Sequence, residues 1–186
     1  MFKYYGDILF VYSLPDHLEI KDKILSNLTQ GGPVHDSVTK VGISKTDYHI
    51  PYKEKSQYFK ILENSLQKHL HPLLAKKFEC VEFSIQKSWY QQYTNNNGHN
   101  WHYHGECNMI GVYFLELPDT KFKTQFRDMI RDKHIEYEAK EGDIVFTNSL
   151  TLHQSPILES DKRKTVISLN YNMTEVDTHP VEVISG

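Results

Sequence analysis

The spacing of apolar residues divides the chain into a helical front and a strand-rich back. Residues 8–14, ILFVYSL, form an unbroken apolar run and predict a short buried strand. Pro15 and Asp16 stop it. Asp16 with Glu19 spells a capping box, and Ile20, Ile24, Leu25 and Leu28 follow at helical spacing. Gly31-Gly32-Pro33 ends that helix. Residues 34–55 show no period and read as a loop with an extended piece around Ile50-Pro51. A second helix is expected from about Ser56 to Leu70. Tyr58, Leu62, Leu66 and Leu70 recur every fourth position on one face, and Pro72 lies near its end.

From Cys80 the period changes to two. VEFSIQKSWYQQY puts Val81, Phe83 and Ile85 on one face. Asn95-Asn96-Asn97-Gly98 is a turn cluster, and Asn97-Gly98 is the strongest hairpin signal in the chain. NWHYH, MIGVYFLEL, a piece near His134–Tyr137, GDIVFTN, TLHQSP and KTVISLNYN follow as short strands. Strands and helices do not alternate, which disfavours a doubly wound parallel sheet. The expected fold is mainly β: a sandwich or jelly-roll barrel with helices packed outside. It forms one domain, with an N-terminal strand and helices over 1–79, a jelly-roll core over 80–172 and a tail over 173–186.

Composition narrows the functional classes. The chain has 186 residues, 21 basic and 24 acidic, for a net charge of −3, so no bulk positive charge points to nucleic acid. Cys80 and Cys107 make neither a disulfide framework nor a CxxC pair, and a reducing compartment is the simplest reading. The N-terminus lacks a signal-peptide pattern, and no segment reaches the ~20 apolar residues of a spanning helix. The expectation is a soluble, cytoplasmic protein without membrane contact. Exposed aromatics on an edge strand would suit a homodimer.

Eleven histidines are enough for a metal site, and their placement matters more than their number. In Trp101-His102-Tyr103-His104-Gly105-Glu106, residues 102, 104 and 106 share a strand face, about 6.6 Å apart. Two neighbours on that face can converge on one ion: His102 with His104, or His104 with Glu106, and Gly105 permits a bend. Two exposed strand histidines are the bland reading. His153, ahead of Ser155-Pro156 at a strand end, is the leading third ligand. A cation at Arg163 or Lys164 opens the strand TVISLNYN and could pair with an anion in the same barrel mouth.

The order WHYH, GVYFL, GDIVF, a lone histidine before SP, and [R/K]-T-V-I-S-L-N resembles the 2-oxoglutarate- and iron(II)-dependent oxygenases, over about residues 80–172. The match is closest to a largely microbial and phage group with HxH before a GVYYL-like strand. The resemblance implies a double-stranded β-helix with helices buttressing one sheet. It implies Fe(II) and 2-oxoglutarate, and hydroxylation of a substrate with release of succinate and carbon dioxide. His102 matches the first histidine of the family's H-x-D/E motif, and His153 the distal one. His104 stands where the carboxylate normally sits, which departs from the usual two-histidine, one-carboxylate site and leaves it one unit more positive. Glu106 would restore the usual set if His104 and Glu106 formed the pair in place of His102. Arg163 or Lys164, with Thr165, matches the group that binds the far carboxylate of 2-oxoglutarate. The R-x-[ST] pattern favours Arg163, and counting back from Asn170 favours Lys164. Tyr113 would add a hydrogen bond there, and Trp89, Tyr90 and Asn170 would line the substrate side.

Other readings use the same residues. A metal cupin or a ligand-binding jelly roll without oxygenase activity would not need the cation at 163–164. H-x-H-x-E is also similar to the HxHxD of some zinc hydrolases, but those need further ligands on α/β folds. The prime substrate, a small molecule, a nucleotide or a protein side chain, is not named by the sequence.

Overall fold

The computed structural model describes residues 1–6, 9–37, 39, 41–51 and 56–176. The front of the chain gives β1 (Lys3–Tyr5), β2 (Leu9–Ser13), α1 (His17–Ser26), β3 (Gly32–His35), β4 (Gly42–Thr46), α2 (Ser56–His69) and α3 (His71–Phe78). The back gives β5 (Cys80–Tyr93), β6 (His99–His102), β7 (Met109–Glu116), β8 (Gln125–Asp128), β9 (Lys133–His134), β10 (Asp143–Asn148), β11 (Leu152–Ser155) and β12 (Lys164–Val176). Two antiparallel sheets result. The large one has eight strands in the order β1-β2-β10-β7-β12-β5-β4-β3, and the small one four in the order β6-β11-β8-β9. This is the jelly roll expected from the strand pattern, in the double-stranded β-helix form that the resemblance implies.

Period-two alternation gives the large sheet two apolar faces. Phe10, Tyr12, Tyr113, Ile144, Phe146, Ile167, Leu169 and Tyr171 point outward and are covered by Ile20 and Ile24 of α1, Leu62 and Leu66 of α2, and Leu74 of α3. Leu9, Val11, Val112, Phe114, Val145 and Val166 point inward against Phe122, Phe126, Tyr137 and Leu158. Each such buried side chain contributes about 1.5–3 kcal/mol relative to exposure. The helices thus close one face and leave the barrel interior to the small sheet. No helix among the described residues is long and apolar enough to cross a membrane.

Several local expectations change. Residues 34–55 are not simply a loop, since β3 and β4 pair as a hairpin at the edge of the large sheet. Residues 52–55 lie outside the described residues, as does residue 8 of the first predicted strand. The predicted capping box does not form. Asp16 makes no side-chain cap to α1 and instead accepts a hydrogen bond from Ser65 of α2 at 2.6 Å. Helix α1 stops at Ser26, before the Gly-Gly-Pro. Pro72 opens α3 from its first turn, where its missing N–H costs nothing. Asn97-Gly98 makes no hairpin either, because β5 and β6 belong to different sheets. That turn hands the chain across the barrel and is tied down by the Gly98 N–H to Gly42 and the Leu158 N–H to Asn97. Strand β12 runs to Val176, past the core boundary expected at 172, and residues 177–186, His179 among them, lie outside the described residues.

Gly31 carries the chain under the hairpin. A Cβ there would lie 2.2 Å from the Thr46 carbonyl oxygen and 2.7 Å from the Tyr90 hydroxyl. Gly31→Ala is therefore expected to cost about 1–3 kcal/mol through overpacking. A lowered urea midpoint would show it, and an unchanged midpoint would mean that the hairpin yields freely.

Candidate metal centre

Strand register builds the site. The antiparallel pairing of β6 with β11 sets His102 directly opposite His153. His104 follows two residues after β6 and is pinned by its N–H to the Ser149 carbonyl at 2.8 Å. The ring centroids of His102 and His153 are 4.2 Å apart, those of His104 and His153 5.1 Å, and those of His102 and His104 5.4 Å. One candidate ligand nitrogen from each ring lies within 4.8 Å of the other two.

The partners of the rings show which nitrogens those are. His102 Nδ1 donates to the Asn100 carbonyl at 2.7 Å, His153 Nδ1 to the Thr151 carbonyl at 2.9 Å, and His104 Nδ1 to Asn170 Oδ1 at 2.7 Å. A carbonyl oxygen can only accept, so Nδ1 carries the proton and Nε2 keeps its lone pair. Three oriented, neutral imidazoles with their outer nitrogens already bonded are the arrangement a transition metal uses. Burial holds all three rings neutral: His102 is pushed down to about 4, His153 well below its ordinary value, and His104 is lowered as well. The donor set therefore fits a divalent ion such as iron or zinc, without any charge from the protein ligands.

Asn170 is the only side-chain partner among these three acceptors. Asn170→Ala frees the His104 ring and is expected to weaken metal binding about 10- to 100-fold. Competition against a chromophoric chelator measures this. Unchanged affinity would mean that something other than Asn170 orients His104.

The remaining candidates separate clearly. Glu106 is exposed on the turn after His104 and does not join the cluster of three. Lys164 is fully buried at the closed end of the barrel, with Nζ donating to Ser155 Oγ at 2.7 Å and lying 5.1 Å from the Tyr93 ring centre. Arg163 points the other way and forms a two-bond fork on Glu116, 2.8 Å at each contact. Thr165 is buried but also turns away, donating to Glu116 and accepting from Gln92. Tyr113 does not reach the interior. It lies on the helix-covered face with its hydroxyl 2.7 Å from His17 Nδ1, so strand parity removes it from the site. Tyr90 likewise faces the helices and donates to the Thr29 carbonyl. Trp89 does line the site, with its ring 5.5 Å from that of His104. Cys107 is a half-buried free thiol whose pKa burial raises. The Cys80 side chain lies outside what the structure describes.

The inward rows of β5 and β12 run in register from the closed end to the mouth: Tyr93 opposite Lys164, Gln91 opposite Val166, Trp89 opposite Ser168, and Lys87 opposite Asn170. A narrow inner cavity touches Gln91, Tyr93, His102, His153, Ser155 and Ser168. A wider cleft of about 500 Å³ opens outward, with Tyr48, Lys87, Trp89, Tyr103, His104 and Asn170 among its walls. His102 and His99 line both. His99 was not a sequence candidate, because positions 99 and 102 fall on opposite faces of a regular strand. An irregularity in the β6–β11 pairing sets His99 opposite Ser155 and brings the rings of His99 and His102 to 3.9 Å.

No protein-family model matches the chain, and no curated protein matches it in sequence. Solved structures do match. A viral collagen prolyl hydroxylase from Paramecium bursaria Chlorella virus-1, solved with 2-oxoglutarate, shares 11% identity at a TM-score of 0.59, over 89% of this chain and 96% of that one. A 2OG-Fe(II) oxygenase family oxidoreductase from Burkholderia pseudomallei shares 12% at 0.62, over 83% and 78%. The non-heme α-ketoglutarate-dependent epimerase SnoN of nogalamycin biosynthesis shares 10% at 0.65, over 90% and 79%. The chain has the fold of these oxygenases.

Proposed function

We propose that the chain is an iron(II)- and 2-oxoglutarate-dependent dioxygenase that hydroxylates a substrate C–H bond and releases succinate and carbon dioxide. The observation that carries this reading is Lys164. Among the described residues this fully buried ammonium meets a serine hydroxyl and a tyrosine ring and no carboxylate, which is costly, and burial pushes its pKa down to about 7. A carboxylate reaching the closed end of the barrel offsets that cost by pairing with it.

The residues divide the work along the barrel axis. His102, His104 and His153 hold the iron, which supplies dioxygen activation when bound. The three neutral imidazoles leave both charges of the ion unbalanced, which favours a dianionic co-substrate. Lys164 and Ser155 take its far carboxylate, and Gln91 and Ser168 flank the space between. The apolar inner row around Val112, Val166 and Phe126 excludes water from the reacting centre. The wide cleft beside His104 and Trp89 receives the prime substrate.

The similar folds support this reading, and one of them, SnoN, is solved with Fe3+, α-ketoglutarate and nogalamycin RO. The all-histidine donor set favours a second reading, a metal protein of the same fold that does not use 2-oxoglutarate. Calorimetry with nickel(II) in place of iron separates the two. The oxygenase reading expects saturable, metal-dependent binding of 2-oxoglutarate that is lost in Lys164→Ala. Metal binding without any 2-oxoglutarate heat would leave the second reading.

A further inference from the structure

Lysines stand at both ends of one inward-facing ladder. Lys164 lies at the closed end, and Lys87 at the mouth, opposite Asn170. The two positions are six residue steps apart along β12, about 20 Å of strand. The histidine cluster lies between them on the other wall. Lys164 answers the co-substrate, so Lys87 remains to be explained.

Lys87 is held over the face of Tyr48, with Nζ 3.6 Å from the ring centre, and lies 5.6 Å from that of Trp89. No carboxylate among the described residues lies within ion-pair distance of it. The ammonium is thus placed by the aromatic wall and keeps donors for a guest. The wall is T-shaped, with the rings of Tyr48 and Trp89 5.1 Å apart, and Trp89 continues to His104. Glu106, the one carboxylate among the described residues lining the cleft, is exposed on its turn.

We propose that the outer cleft takes a prime substrate bearing one anionic group, a carboxylate or a phosphate, which Lys87 binds against the Tyr48–Trp89 wall. The proposal rests on the oxygenase reading for what is then done to the substrate. Its chemistry selects against the other guests of an aromatic cleft. A cationic ligand would seek the Tyr48 face, but Lys87 already covers it. A polyanion such as duplex nucleic acid would need several cations, and among the described residues Lys87 is the one lysine or arginine lining the cleft. Because Lys87 faces Asn170, which orients His104, an anion held there fixes the rest of the substrate beside the metal centre.

The test uses the iron(II)- and 2-oxoglutarate-loaded protein under anaerobic conditions. Tryptophan fluorescence is titrated with phenylacetate, phenyl phosphate and the neutral isostere phenylacetamide. The expected result is saturable quenching by at least one anion, at a Kd at least about tenfold below that of the amide. The stronger of the two anions distinguishes carboxylate from phosphate. Lys87→Met should erase the preference and Lys87→Arg should largely keep it. Equal binding of acid and amide, a preference that survives in Lys87→Met, or no saturable binding of either anion would overturn the proposal. The iron–co-substrate absorption band is recorded on the same samples, so a failure of the oxygenase reading shows separately, as a missing band.

Discussion

His153→Ala is expected to abolish specific iron binding and with it all turnover. His153 is nine-tenths or more buried, lies opposite His102 in the β6–β11 pair, and is one of the three rings that, among the described residues, can share an ion. Loss of an outer partner of a ligand costs about 10- to 100-fold in metal affinity, so loss of the ligand itself should exceed about 100-fold. The metal-free variant should still fold, since the His153 ring that it loses packs on Phe126 at a 5.8 Å centroid distance without anchoring an element. Circular dichroism and a chelator competition on the same sample separate the two effects. Tight iron binding by the folded variant would show that His102 and His104 hold the ion with some other group.

Lys164→Met should have two large effects of opposite sign. The variant should lose 2-oxoglutarate by about 2 kcal/mol or more, at least roughly 30-fold, because a buried charge-assisted bond disappears. It should also make the ligand-free protein more stable, by about 1–4 kcal/mol, because an apolar chain replaces a buried, carboxylate-free ammonium. Burial lowers the folded-state pKa of Lys164 from 10.5 to about 7. Between these values the unfolded chain binds the extra proton, so wild-type stability rises with pH across that window, and the full cost is felt below about pH 7. The variant lacks this rise, and the difference between the two Tm-against-pH curves isolates Lys164. The same linkage makes 2-oxoglutarate binding take up a proton above about pH 7, so wild-type affinity should fall by up to about tenfold per pH unit there. Parallel stability curves for the two proteins would remove Lys164 from the account.

Much of this was legible in the sequence, because two periodicities carried it. Four-residue spacing of Tyr58, Leu62, Leu66 and Leu70 marks α2, and alternation marks Phe83 and Ile85 of β5 as one face, which packs on the helix side. His102, His104 and His153 were visible as an HxH pair and a lone histidine before Ser155-Pro156. What was not legible depends on partners distant in the chain. The β3–β4 hairpin lies at a sheet edge and carries a mostly exposed first strand, so it shows no alternation to read. Asn97-Gly98 looked like a hairpin because a turn signal says nothing about which sheet the next strand joins. Arg163 and Lys164 were equivalent until the register with Tyr93 fixed which one points inward. Tyr113 failed on the same parity, one residue from the inward Val112. His99 entered the site only through an irregular pairing that strand periodicity cannot foresee.

The barrel interior is proposed to hold a metal on three histidines and 2-oxoglutarate on Lys164. An anaerobic titration of the purified protein with iron(II) and 2-oxoglutarate, followed by visible absorption, tests it most directly. A saturable charge-transfer band of the chelate is expected in wild type, absent in His153→Ala and requiring far more 2-oxoglutarate in Lys164→Met. Tight iron binding with no band at any 2-oxoglutarate concentration would contradict it.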